Sequence, residues 1–359
     1  MEIRSFQARN CAVSHAVRGW RRFLKQAIVC SGVGKQRDRF CEFGEDSTIT
    51  ARLEKIARIP GVAGVELLYP RDLEAVDEVK ETLARLKLEV SAVNVNVKSD
   101  REFAAGGLTS PDPAVRRKAV QYIRQGKECA LELGARRVTC CPLADGYDYP
   151  FQACYGTMWE RMLDSIREAA EYQTQITLCL EYKPYESRVH NLLSSASKTI
   201  LLCQATGGKN VGVTVDTGHS IVAGESPAES LMLVVSSGLP FYIHVNDTNG
   251  KWDWDLMAGA CNVWEYLEFL FYVKEAGYDD WITCDAVAYR QDPVEIYSLN
   301  ARFTDQLWRW LDVVDRNEIR EHLRRNDFIW VRKLMEPYLF AGDALASLAT
   351  AAPTLTRTA

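Results

Sequence analysis

Four segments put carboxylates and imidazoles where a fold can gather them. They are Glu181-Tyr182-Lys183-Pro184, Val215-Asp216-Thr217-Gly218-His219, His244-Val245-Asn246-Asp247, and Asp285 after Trp281-Ile282-Thr283-Cys284. Each closes an apolar, β-branched run, such as Ile176-Thr177-Leu178-Cys179-Leu180 before Glu181. A chain that repeats strand, charged residue and helix places those residues at the carboxyl ends of neighbouring parallel strands. Three carboxylates and an imidazole would then converge. Two unit charges about 4 Å apart repel by roughly 4 kcal/mol at an effective dielectric near 20, so the cluster requires a cation. Mixed oxygen and imidazole donors suit a divalent metal, Mn²⁺ as the first expectation, with Mg²⁺, Co²⁺ or Zn²⁺ as alternatives. The competing reading, separate strand-end caps and ordinary salt bridges, needs four successive strand ends to be polar by coincidence.

The elements that must position these groups alternate regularly. Strands are expected at Gln26–Ser31, Val62–Leu68, Val90–Val97, Arg136–Cys141, Gln175–Glu181, Asn210–Asp216, Pro240–Asn246 and Asp280–Asp285. Helical spacing fills the intervals: Ile49–Ile59, Leu73–Leu86, Pro113–Leu133, Tyr155–Tyr172, Leu192–Ala205, Pro227–Ser236, Val263–Ala276 and Pro293–Val313. Asp112-Pro113, Ser226-Pro227 and Asp292-Pro293 carry helix-start chemistry, and Gly134 and Gly277 mark stops. Eight strand-helix units predict an α/β fold, a (β/α)₈ barrel. An open doubly wound sheet would show a glycine-rich phosphate turn after the first strand, and Ser31-Gly32-Val33-Gly34-Lys35 is too short and leads into no helix. The division expected is an extension over 1–25, the barrel over 26–315, a helical appendage over 316–344 and a disordered tail over 345–359. The extension holds Arg4, Arg9, Arg18, Arg21, Arg22 and Lys25 against the single acid Glu2. Asp315–Tyr338 reads as one or two added helices, packed on the barrel or on a partner subunit.

Composition narrows the class. The chain has 359 residues, 47% of them hydrophobic, and a formal net charge of -5. That balance provides no basic field for nucleic acid. No apolar run reaches the eighteen or so residues that span a membrane. Of the 11 cysteines, Cys129, Cys140, Cys141, Cys179, Cys203 and Cys284 lie in apolar runs, where a thiol is a small buried hydrophobe. The expectation is a cytoplasmic protein in a reducing compartment, and the lack of a Cys-x-x-Cys pair disfavours thiolate zinc.

These segments, together with Asp253-Trp254-Asp255-Leu256 and Leu143-Ala144-Asp145-Gly146 followed by Tyr149-Pro150 and Gln152, resemble the metal-binding segments of the xylose-isomerase-like barrel superfamily, most of all the L-rhamnose isomerase type. The likeness runs over roughly residues 26 to 312. It implies a first metal held by Glu181, Asp216, His244 and Asp285, the set the residues themselves point to, and a second, looser position near His219, Asp253 and Asp255. It also implies departures: epimerase members place a glutamate on the last strand where this chain has the shorter Asp285, and Phe151 alters the loop after Tyr149-Pro150.

A metal on adjacent carbonyl and hydroxyl oxygens acidifies the C–H between them by stabilising an enediolate. Glu181 is a candidate base, with His219 or a metal-bound hydroxide as alternatives. Lys183 can clamp a sugar oxygen or pair with Glu181. Trp252 and Trp254 offer faces for sugar C–H groups. Asp148, Tyr149, Gln152, Asp253 and Asp255 are candidate hydroxyl contacts, and Arg290 can neutralise an anion. Glu66, at the end of the second strand, can orient a ligand, and of Asn94 and Asn96, alternating on the third strand, one side chain can face the barrel mouth. His190 is a minor substrate candidate, while His15 and His322 take no role. The expected function is metal-dependent isomerisation or epimerisation of a sugar, by proton or hydride movement. The alternative is the large subunit of a 3-oxo-C-glycoside deglycosidase, a lyase that would need a small β-sheet partner. A homo-oligomer is also compatible. An abasic-site nuclease would show more histidines and a basic face, and an inactive binding barrel would not keep the ligand set.

Overall fold

The structure, a computed structural model, describes residues 24–340, so the expectations for the basic extension before Leu24 and for the C-terminal tail lie outside the described residues. Eight parallel strands, Gln26–Val29, Val62–Tyr69, Glu89–Val95, Arg137–Cys140, Thr177–Glu181, Val211–Asp216, Phe241–Val245 and Ile282–Cys284, close into a barrel. The first pairs with both the second and the eighth, through Ile28 opposite Val65 and opposite Cys284. All eight lie where apolar, β-branched runs predict them. Lys25, counted with the extension on sequence grounds, already belongs to the barrel, because its carbonyl accepts from Ile282 N–H at 2.9 Å.

Helices α1 (Ile49–Ile56), α2 (Val76–Leu86), α3 (Pro113–Glu132), α4 (Tyr155–Ala170), α5 (Ala196–Thr206), α6 (Thr217–Val222), α7 (Pro227–Ser237), α8 (Val263–Glu275) and α9 (Pro293–Val313) follow the strands. The predicted starts act as caps: the side chains of Asp112, Ser226 and Asp292 accept from Ala114, Glu229 and Glu295 N–H. Gly134 and Gly277 follow α3 and α8 in the left-handed region, φ 74° and 67°, where a Cβ would be strained. The strand-helix interface forms one continuous apolar core, from Ile28 and Val65 through Val213 and Ile243 to Leu311.

Inside the barrel the chemistry differs. Glu66, Asn94, Thr139, His244 and Thr283 are buried polar residues of the strands, in a region that such barrels commonly fill with branched aliphatic side chains. Buried polar groups need partners, and here Asn94, Thr139 and His244 meet on Glu66 while Thr283 pairs with the Tyr242 hydroxyl. Two small antiparallel sheets of two strands each escaped the sequence reading: the hairpin of Gln36–Arg37 with Glu42–Phe43, and Gly146–Tyr147 paired with His190–Asn191. The second ties the loop after the fourth strand to the loop after the fifth. Its His190 ring lies 5.4 Å from that of Tyr147.

After α9 come α10 (Arg316–Arg324) and α11 (Phe328–Phe340). Arg316 pairs with Glu275 of α8 at 2.6 Å, and the Arg332 guanidinium lies 3.5 Å over the Trp264 ring, so both pack on the barrel's own helices. Within them, His322 stacks on Trp330 and contacts Asp327 at 2.9 Å. Among the described residues no helix is long and apolar enough to cross a membrane, and every described cysteine is free. Of the six assigned to the core, Cys129 is half-buried and the others are buried.

Candidate metal centre

Glu181 is the last residue of the fifth strand and Asp216 the last of the sixth. His244 is the penultimate residue of the seventh, and Asp285 directly follows the eighth. Register puts Asp216 beside His244, and Asp285 N–H donates to the Val245 carbonyl at 3.1 Å. The four side chains offer ligand atoms that all lie within 4.8 Å of one another. Three are buried, and Asp285 keeps 27% of its side chain exposed, facing the open end of the barrel.

Electrostatics matches a cation. Burial, reinforced by the neighbouring carboxylate of Glu181, pushes Asp216 up to about 7 and Asp285 up to about 6, although His219 and His244 oppose the rise. Burial also works against positive charge on His244, yet Glu66 and Glu181 outweigh it and hold the imidazolium well above its usual range. Asp216 and Asp285 therefore hold protons more tightly than free carboxyls do, while Glu181 stays ionised, and a divalent charge would displace those protons. Exchange of those protons for a cation is the ordinary chemistry of such a donor set. On this test the residues fit a divalent metal.

The geometry also fixes how His244 would bind. Its Nδ1 lies 3.1 Å from Glu181 Oε1 and 3.5 Å from Asp285 Oδ2, while Nε2 lies 2.9 Å from Glu66 Oε2. A carboxylate only accepts, so the imidazolium donates from both nitrogens; Nε2–H is committed to the buried Glu66, and Nδ1, which faces Glu181 and Asp285, is the atom that would give up its proton to ligate. Glu66 is in turn held by Asn94 Nδ2 at 2.8 Å and Thr139 Oγ1 at 2.9 Å. Asn94 is thus the asparagine of that strand that serves the site. Asn96 caps its own loop, accepting from Lys98 and Ser99 N–H.

A second cluster adjoins the first. His219 enters because Asp216 caps α6: Asp216 Oδ1 accepts from His219 N–H at 2.8 Å, bringing the ring back over the strand ends. Its Nδ1 lies 3.3 Å from Glu181 Oε1 and its Nε2 3.2 Å from Asp253 Oδ2. Lys183 pairs with Asp253 at 2.7 Å and with Glu186, so the alternative of a Lys183–Glu181 pair is replaced. Burial raises the Asp255 carboxyl well above its usual range, and Asp253 beside it adds to the rise. His219 Nδ1 and Asp253 Oδ1 are buried with no hydrogen-bond partner.

The remaining candidates stand on the rim. Gln152 Oε1 accepts from Asp148 and Tyr149 N–H at 2.7 and 2.8 Å, closing its own loop, and Asp148 is exposed. Trp252 packs against Tyr185 with centroids 5.5 Å apart, and Trp254 is half-exposed. Arg290 sits over the Phe43 ring, on the hairpin that follows the first strand. A cavity of about 1700 Å³ opens at the opposite end of the barrel, but its charges pair with one another, as in Lys25–Glu89 and Lys80–Glu132. Sequence reasoning missed Thr139 and Glu186. It also missed α6, whose start was visible only as an Asp three residues before His219.

A probable sugar isomerase of Rhizobium meliloti (strain 1021) is 24% identical over 98% of this chain and 83% of its own length. The xylose isomerase of Thermus thermophilus is 25% identical over 68% of this chain and 67% of its own. Among solved structures, a D-tagatose 3-epimerase-like protein superposes with a TM-score of 0.64 at 21% identity, over 80% of this chain and 98% of that one. Residues 53–307 match the family model described as xylose isomerase-like TIM barrel, and the chain belongs to that family.

Proposed function

We propose that the protein is a divalent-metal-dependent isomerase or epimerase of a sugar or sugar-like carbonyl compound. The observation that carries this reading is the approach of Glu181, Asp216, His244 and Asp285, from four consecutive strand ends, to within 4.8 Å. These four residues would hold the metal, which supplies a Lewis acid that stabilises negative charge developing on substrate oxygens.

The chain's own groups do the rest. Glu181, flanked by both imidazoles, stays ionised and serves as a ligand; its carboxyl lies well below the usual range because His244 and His219 outweigh the effect of burial. That makes it a weak base. His219, oriented by Asp253 at Nε2, presents Nδ1 beside Glu181. Burial disfavours charge on its ring, yet Asp216 and Asp253 outweigh burial and favour the imidazolium; with their negative charge offset by a cation on Glu181 and Asp216, the neutral ring would take a proton from the substrate and return it. Lys183, held by Asp253 and Glu186, donates a hydrogen bond to a substrate oxygen. Asp253 and Asp255 lie beside it to receive hydroxyls, and the faces of Trp252 and Trp254 cover the C–H side of the ring. The orphaned His219 Nδ1 and Asp253 Oδ1 also suit a second, weaker cation, in competition with the ammonium on Asp253.

The test is incubation with Mn²⁺ and a panel of free aldoses and ketoses in deuterated water, with products separated by chromatography. Interconversion supports the assignment, and deuterium in the product marks proton transfer as against hydride shift. Turnover confined to 3-oxo-glycosides, with release of the aglycone, would replace isomerisation by elimination.

A further inference from the structure

One residue of the His244-Val245-Asn246-Asp247 segment has no part in the scheme above, although it is almost wholly enclosed. Asn246 is 2% exposed and sits just past the seventh strand, between the strand ends that carry Asp216 and Asp285. Its Nδ2 donates to Asp216 Oδ2 at 3.0 Å and to the Asp285 carbonyl at 3.2 Å. Its Oδ1 accepts from Gly218 N–H at 2.7 Å. Its main chain is held as well: Thr217 Oγ1 donates to the Asn246 carbonyl at 2.7 Å, and Asn246 N–H approaches the same hydroxyl at 3.0 Å.

The consequence concerns the Asp216 carboxylate. One oxygen is held by the His219 N–H through the helix cap, the other by the Asn246 amide. Two donors on two oxygens define the plane of the group. Without the second, a carboxylate crowded by Glu181 is free to turn about its last torsion, away from the position in which it faces the other ligands. The amide must donate to one neighbour and accept from another, and asparagine is the side chain of this length that does both.

Gly218 is the counterpart. A Cβ there would stand 2.3 Å from Asn246 Oδ1, closer than atoms approach, and 3.4 Å from Asp253 Oδ1. The amide, bonded at both ends, cannot swing aside without releasing Asp216.

We propose that Asn246 is a positioning residue that fixes the Asp216 carboxylate relative to Asp285, and that position 218 is glycine to admit its amide. The inference rests on the reading that Glu181, Asp216, His244 and Asp285 bind a divalent cation.

The experiment is calorimetric and EPR titration of the metal-free full-length protein with Mn²⁺, at a temperature well below melting. It compares wild type, Asn246→Ala, Gly218→Ala and the double variant, each also melted without metal. Each single substitution is expected to weaken Mn²⁺ binding by about 10- to 100-fold. The double variant should bind no more weakly than Asn246→Ala alone, because no amide remains for the new methyl to displace. Asn246→Asp, isosteric but unable to donate to Asp216 as an ionised side chain, is measured alongside and should also bind weakly, so the comparison stands if the alanine variant fails to fold. Wild-type affinity in folded Asn246→Ala or Asn246→Asp overturns the proposal, as do losses that multiply in the double variant. A wild-type protein that binds no Mn²⁺ sinks the cation reading itself, and this proposal with it.

Discussion

Replacing Glu66 by Gln probes the site where the geometry is most demanding. Three donors converge on this fully buried carboxylate: His244 Nε2 at 2.9 Å, Asn94 Nδ2 at 2.8 Å and Thr139 Oγ1 at 2.9 Å. Glutamine brings one acceptor oxygen and one NH₂. If the oxygen keeps Asn94 and Thr139, the NH₂ faces His244 Nε2, which must then accept; the ring proton moves to Nδ1, the atom that faces Glu181 and Asp285. If the amide is reversed, the His244 bond survives, but Asn94 must turn over and the imidazole loses an ionised partner. Both arrangements weaken His244 as a ligand. Loss of such an outer partner reduces metal affinity by about 10- to 100-fold, or roughly 1.4 to 2.7 kcal/mol. The assay is Mn²⁺ titration of wild type and Glu66→Gln at pH 7.5, with the metal-free melts recorded in parallel. A variant that binds Mn²⁺ within twofold of wild type would show that Glu66 does not select the ligating nitrogen, and the tautomer argument would fall.

Three further outcomes follow from the same contacts. His219→Asn should lower kcat by about 100-fold or more while Mn²⁺ remains bound, as expected for loss of a proton-transfer group; unchanged turnover in steady-state kinetics would transfer that role to another residue. Mn²⁺ at about 100 times its Kd should stabilise the fold by about 2.7 kcal/mol, and chelator should reverse the gain in a thermal melt; a melt indifferent to both argues against binding to the native state. Lys127 concerns stability alone. Its ammonium is buried and donates to the Ala169 and Tyr172 carbonyls at 3.0 and 2.8 Å, and burial lowers it from 10.5 to about 8. Below pH 8 both folded and unfolded chains hold the proton and the burial cost is complete. Between 8 and 10.5 the unfolded chain holds more of it, so stability rises with pH. Wild type should therefore gain about 2 kcal/mol on Lys127→Met between pH 7.5 and 9.5, measured by urea denaturation, and a constant difference would contradict this.

Local pattern was enough to place all eight barrel strands, because apolar β-branched runs bounded by turns carry their own conformational signal. The four residues that gather at the rim were legible for a related reason: a polar residue ending a buried strand is costly unless something meets it. Short elements gave no such signal. The six residues of α6 span too few turns for a period to show, and the two-residue strands of Gly146–Tyr147 and His190–Asn191 pair only because two loops already lie side by side. Partner choice was equally hidden. Lys183 stands two residues from Glu181 yet bonds to Asp253, seventy positions on, while His244 meets Glu66 across 178 positions. Sequence by itself determined which residue types arrive at the rim and from which strands. Closure of the barrel decided which nitrogen of His244 faces Glu66 and which faces Glu181 and Asp285, which carboxylate Lys183 neutralises and how closely Gly218 lies against the Asn246 amide. Those outcomes depend on distances of a few tenths of an ångström between segments that meet only after the first strand has paired with the eighth.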